Sequence, residues 1–222
     1  MKKKLLVILP TVLLLTSILY IRIGICNELD RCAEQLHSSN HKERINGLFE
    51  FTDFDRKICQ KNIELIIPLL YDEVEDVRGA AIYLSGKIFL KPPLEIAEGV
   101  FLSPPLQISR LKKDDLYIKA AKLILPHLIE KLKNERELLQ CYALSTIASI
   151  GMIDNNDIDI IIEKLDSANE RVRYHTLEAL GNIGKESQKA ISKIENMMKN
   201  EDESRSVRNA AERAWILILQ DQ

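Results

Sequence analysis

The stretch V-R-Y-H-T-L-E-A-L-G-N-I-G, from Val172 to Gly184, does most to limit what this chain can fold into. Val172, Thr176, Ala179, Leu180 and Ile183 stand three and four residues apart, which puts them on one face of a helix, and Gly184 ends it. The same skeleton returns on Val77-Arg78 with Ala81, Leu84, Gly86 and Ile88, and on Val207-Arg208 with Ala211, Ala214 and Ile218. A degenerate copy starts at Leu139, with Ala143, Thr146, Ile147, Ile150 and Gly151, and a fainter one at His41, with Ile45, Leu48 and Phe49. Successive copies start 36, 62, 33 and 35 residues apart, so one gap holds an insertion. Each unit is an apolar helix, a polar break and a second amphipathic helix; such a pair cannot cover its own apolar face, and stacking with its neighbours buries it.

Composition sets the class of chain. With 46% hydrophobic and 29% charged residues among 222, there is enough apolar surface for a sizeable core. No long segment alternates β-branched and aromatic residues with polar ones, so an all-α fold is expected. Thirty-one Lys and Arg against thirty-three Asp and Glu leave a net charge of -2 with no basic stripe, which argues against a nucleic-acid partner.

The V-R-x-x-A-x-x-A-L-G-x-I-G skeleton at 77, 172 and 207 resembles the HEAT repeat, in the short bacterial form also called the phycobilisome-lyase type. The resemblance covers residues 28–222 and is looser in the units at 41 and 139. It implies a right-handed α-solenoid of about five HEAT-like pairs of antiparallel helices, A and B, with the B helices lining the concave side; the apolar run at the N-terminus adds a separate helix. It also implies that Arg78, Arg173 and Arg208, which share one template position, join carboxylates of neighbouring units in a ladder; a phosphate-binding row is the alternative. Asp72 and Asp202, five before the reference valines, are expected to cap or pair with those arginines.

In chain order, the first pair is expected at about 28–37 and up to 52, divided by Ser38-Ser39-Asn40. The second covers about 57–71, kinked at Pro68, and then runs to about 89. Pro92-Pro93 and Pro104-Pro105 mark an irregular insertion at about 90–114. The third pair covers 116–133, interrupted at Pro126, and 136–150. Asn169 is placed to cap the fourth B helix and Ser204 the fifth.

Residues 1–26 stand apart. Lys2, Lys3 and Lys4 precede Leu5 to Ile21, seventeen residues without a charge, and after Arg22 the apolar run resumes through Cys26. This pattern suits a signal-anchor that crosses the membrane with its lysines on the cytoplasmic side, leaving the repeat domain periplasmic or at the cell surface. Cleavage and secretion is one alternative. Lipidation at Cys26 is another, because Ile23-Gly24-Ile25-Cys26 resembles a lipoprotein box, although Ile25 stands where that motif needs a small residue.

No catalytic motif stands out: H-E-x-x-H, C-x-x-C, G-x-S-x-G and the phosphate-binding loop are all missing from the sequence. His37 and His41 are four apart, but the polar break between them interrupts the helix that a shared metal face would need. Cys32, Cys59 and Cys141 fit small core residues, with a Cys32–Cys59 bridge chemically allowed across a membrane. No cofactor or metal is expected. Positions two, three, six and ten after each reference should face outwards on the B helices, collecting Tyr83, Tyr142, Tyr174, His175 and Arg213 as a contact strip, with Lys87, Ser145, Glu178 and Asn182 beside them. Trp215-Ile216-Leu217-Ile218-Leu219 leaves the last helix no polar side, so Trp215 is a further candidate contact, for a partner or a homodimer. The expected function is a membrane-tethered, non-enzymatic scaffold that binds a protein or peptide on its concave face; the alternative is a cofactor-handling enzyme like the HEAT-repeat bilin lyases.

Overall fold

The structure, a computed structural model, describes residues 24–90 and 113–220. The apolar run from Leu5 to Ile21 and nearly all of the expected insertion lie outside these residues. Helix α1 covers 24–36, and so runs through Cys26. It is followed by α2 (His41–Asp53), α3 (Arg56–Lys61), α4 (Glu75–Lys87), α5 (Asp115–Asn134) and α6 (Glu137–Ile150). Then come α7 (Ile158–Glu163), α8 (Glu170–Ile183), α9 (Ile191–Lys199) and α10 (Arg205–Gln220). Among the described residues no helix is long and apolar enough to cross a membrane.

Helices α2, α4, α6, α8 and α10 pack one on the next as a layer of B helices; α5, α7 and α9 back α6, α8 and α10, and the 3-10 turn Ile67–Tyr71 backs α4. The molecule is an all-α solenoid, as the repeat predicts. Its seam is made by the template: Val77, Leu139, Val172 and Val207 are buried, and so are Ala81, Ala143, Thr176 and Ala211 one turn later. Small residues let the B helices approach closely. A Cβ on Gly181 would lie 3.0 Å from Ala214 Cα, so a larger residue there would push α8 off α10. Gly184 ends α8 at φ 77°, a backbone angle that a side chain would strain.

The arginines form the expected ladder in part. Arg78 Nε donates to Glu135 Oε1 at 2.9 Å and Arg173 Nη2 to Glu203 Oε2 at 2.7 Å, each reaching the next unit. Both also hold main-chain carbonyls of their own unit through Nη1, Arg78 those of Asp72 and Glu73, Arg173 those of Ser167 and Ala168. Arg208 holds its own carbonyls in the same way, and no carboxylate among the described residues lies against it. A fourth member escaped the template. Arg44 takes the carbonyls of Ser38 and Ser39 and pairs with Asp72, Nη2 to Oδ1 at 2.8 Å and Nε to Oδ2 at 2.7 Å, with both side chains nearly buried.

Several expectations need correction. The first unit's reference position is Glu43, not His41, because Arg44 occupies the ladder position; Gly47, Leu48 and Phe51 then fall on the buried face. Asp72 serves the preceding unit's arginine and also caps Val74 N–H at 2.9 Å, while Glu203 and not Asp202 receives Arg173. Pro68 does not kink a long helix. The chain breaks earlier, at Asn62, and continues as two 3-10 turns, Ile63–Leu65 and Ile67–Tyr71, with Pro68 in the first turn of the second, where a missing N–H costs nothing. Pro126, by contrast, interrupts nothing: α5 runs unbroken for 20 residues. Pro126 and Lys122 both lie on the exposed side, where water can take the carbonyl that the proline leaves unbonded. Asn169 caps α8 as expected, accepting from Arg171 N–H at 2.9 Å, and Ser204 Oγ accepts from Val207 N–H at 3.2 Å.

Candidate functional site

The outward face of the B layer is set by helical spacing. Residues one before, three after and six after each reference are four and three apart, so they stack on one side of the helix. On α4 these are Asp76, Ala80 and Tyr83; on α6 Leu138, Tyr142 and Ser145; on α8 Arg171, His175 and Glu178. The face is narrower than the sequence suggests. On α6 position two after the reference turns into the seam, burying Cys141, and position ten buries Ser149 and Asn182, whereas Tyr174 stays half-buried and Lys87 exposed.

An open groove crosses this face. Tyr83 is 51% exposed and Leu138 42%, and the Tyr83 and Tyr142 rings lie 5.6 Å apart with their planes tilted by 54°. Tyr142 in turn rests over Gly79, where a Cβ would sit 3.6 Å from its ring. Two hollows meet here, of about 240 Å³ between α4 and α6 and about 860 Å³ between α6 and α8, and both are lined by Tyr83, Arg136, Leu138 and Tyr142. The larger one extends to Gln140, Asn169, Arg171 and His175.

Most of the charges around the groove are already paired. Arg136 bridges to Glu75, Glu135 takes Arg78, and Glu137 Oε2 accepts from Asn169 Nδ2 at 2.5 Å. Next to the groove on the α8 side is a second, self-contained group. Tyr174 stacks edge-on against His175 at 5.3 Å, Arg213 Nη2 donates to Tyr174 Oη at 3.4 Å, and His175 Nδ1 lies 3.4 Å from Glu178 Oε2. Burial works to raise the Glu178 carboxyl, but its contacts with His175 and Tyr174 and the charge of Arg213 outweigh it, holding the group below its ordinary range. Burial raises the Tyr174 phenol, with the Glu178 charge adding to it. Burial also lifts the Cys141 thiol beneath the groove, which disfavours the thiolate that nucleophilic chemistry needs.

The structure therefore brings Tyr83, Tyr142 and His175 together around one groove and places Tyr174 and Arg213 in the adjoining cluster. Trp215 belongs to neither. Its Nε1 donates to Glu195 Oε1 at 3.0 Å on the A-helix side of the last unit. The C-terminal helix is not apolar all round either: Leu217 and Ile218 are buried, while Glu212 and Gln220 are exposed on the side that also shows Ile216. Leu138, Arg171 and Asp76 escape a reading of the sequence alone, although their shared place one before the reference is a signal that could have found them. Away from the groove, Cys32 and Cys59 carry free buried thiols that donate to Gly47 O and Phe51 O, and burial pushes them up to about 11 and about 12. His37 and His41 stand on opposite sides of the break between α1 and α2, and no group of three or more metal-binding side chains occurs among the described residues.

Residues 125–215 match the family model described as HEAT repeats. That stretch runs from the second half of α5 to α10, and so takes in the α6–α8 side of the groove. No curated protein matches the sequence. Among solved structures, an engineered protein superposes with a TM-score of 0.60 at 16% identity, over 86% of this chain and 78% of its own. A structure of computationally designed armadillo repeat proteins for modular peptide recognition gives 0.56 at 18% identity, over 85% of this chain and 81% of its own. Both likenesses concern the fold, an armadillo- and HEAT-type solenoid.

Proposed function

We propose that this protein is a non-enzymatic scaffold that binds a protein or peptide segment across α4, α6 and α8, and that residues 1–26 tether it to a membrane with the repeats on the extracytoplasmic side. The carrying observation is the groove itself: two half-exposed apolar side chains, Tyr83 and Leu138, gathered on Tyr142 where two helix junctions open side by side. Tyrosines are suited to anchoring a partner, since they offer a large rigid contact with a polar tip. A stacked-repeat surface gives an extended ligand several units to contact at once. For the tether, the support is the lysine cluster followed by seventeen uncharged residues.

A photo-crosslinker placed at Tyr83 in the full chain, in its native membranes, tests the binding role. It should trap a discrete partner, and Tyr142→Ala should abolish the adduct; an adduct pattern indifferent to Tyr142→Ala would remove this face from the reading. Mass spectrometry of the mature N-terminus tests the tether, which fails if residues 1–26 are absent.

A further inference from the structure

One template row across the groove carries a charge order that binding alone does not require. The residues one before the reference are Asp76 on α4, Leu138 on α6 and Arg171 on α8. Because they hold the same place on successive stacked helices, they lie in a line along the solenoid. Asp76 and Arg171 are exposed, and among the described residues neither side chain has a hydrogen bond or an ion pair. They differ in this from the carboxylates of Glu75, Glu135 and Glu137 and the guanidinium of Arg136, which are all engaged. The row thus offers an open anion, an apolar centre built from Leu138 with Tyr83 and Tyr142, and an open cation.

Building on the scaffold reading, we propose that the groove selects an extended peptide segment with a basic residue over Asp76, an aliphatic or aromatic residue over Leu138 and an acidic residue over Arg171. Packed helices lie roughly 8–10 Å apart, and an extended chain of polyproline-II form advances about 3.1 Å per residue with three residues per turn, so side chains three positions apart return to one face at about that spacing. The pattern is basic-x-x-apolar-x-x-acidic, or its reverse if the chain runs the other way. Either direction satisfies the same three contacts. A ligand with two like charges would set one of them against its own sign, which opposes binding and slows encounter.

The test is selection from a random twelve-residue displayed peptide library on the folded protein, with Tyr142→Ala as the counter-screen. Enriched peptides that lose binding to Tyr142→Ala and carry opposite charges three positions either side of an apolar residue support the proposal. Peptides that depend on Tyr142 but show no charge order overturn it and leave the scaffold reading intact. Peptides indifferent to Tyr142→Ala overturn both. Two exposed substitutions check the charges without touching the core. Arg171→Glu should weaken a selected peptide about fivefold or more, and changing that peptide's acid to lysine should restore binding. Asp76→Lys should do the same for the basic end; failure of both rescues overturns the charge assignment.

Discussion

At the α4–α6 junction Arg78 reaches Glu135, and at the α8–α10 junction Arg173 reaches Glu203; between α6 and α8 no such pair spans the gap among the described residues. Gln140 stands where those arginines stand, and Ala168 stands where Glu135 and Glu203 stand. Gln140 keeps half of what the arginine does. Its Nε2 donates to Glu135 O at 2.7 Å, just as Arg78 Nη1 holds its own unit's carbonyls, but it cannot reach across. Both partners are thus replaced at the same junction. The larger hollow opens there, lined by Gln140, Asn169 and Arg171. In a solenoid, where each unit touches only its neighbours, a junction without an arginine latch relies on its apolar seam and, here, on the Glu137–Asn169 hydrogen bond. Among the described residues the stack carries arginine latches at the α4–α6 and α8–α10 junctions and none at the junction where the larger hollow opens.

Four measurements test that contrast. The largest effect is expected at the first latch, where the side chains are the most buried. Asp72→Ala strands Arg44 and uncaps Val74, and should cost about 3–4 kcal/mol in urea unfolding. Glu203→Ala strands the less buried Arg173 and should cost about 2 kcal/mol. Because units couple only to neighbours, hydrogen exchange should accelerate in α10 and stay nearly unchanged in α4. If α4 loses protection equally, the latches do not act locally. Installing the missing pair, Gln140→Arg with Ala168→Glu, should stabilise the fold by about 0.5–1 kcal/mol, with the double change exceeding the sum of the single ones. The smallest effect concerns acid. Glu178 sits below its ordinary value of 4.5 when folded, so its contribution is present above that value and is lost as pH falls through the folded one. The stability difference between the wild type and Glu178→Gln should therefore close below about pH 4.5 in acid titrations followed by circular dichroism.

The solenoid is legible in the sequence because Val77, Val172 and Val207 repeat with their small residues at helical steps, and that pattern can only be buried by stacking. The first unit reads two residues out of register, since Ile45 and Leu48 also suit a helix started at His41. Arg44, 34 residues before Arg78, is the better marker. Prolines mislead in both directions, because whether one breaks a helix depends on which side of it faces water. Of the contact strip, Tyr83, Tyr142 and His175 follow from spacing alone. Leu138, Asp76 and Arg171 are harder to see, because first-turn residues vary in kind between units and only their shared place one before the reference marks them as a row.

Trp215 is the chain's single tryptophan, bonded to Glu195 between the two helices of the last unit. Emission excited selectively at the indole, away from the six tyrosines, therefore reports on a single place, in the last unit and outside the groove. Release of the last unit would redden it as the indole meets solvent, whereas a ligand lying over α4 to α8 would leave it unchanged. Fraying of the end and occupation of the middle can thus be followed separately in one cuvette, without a label.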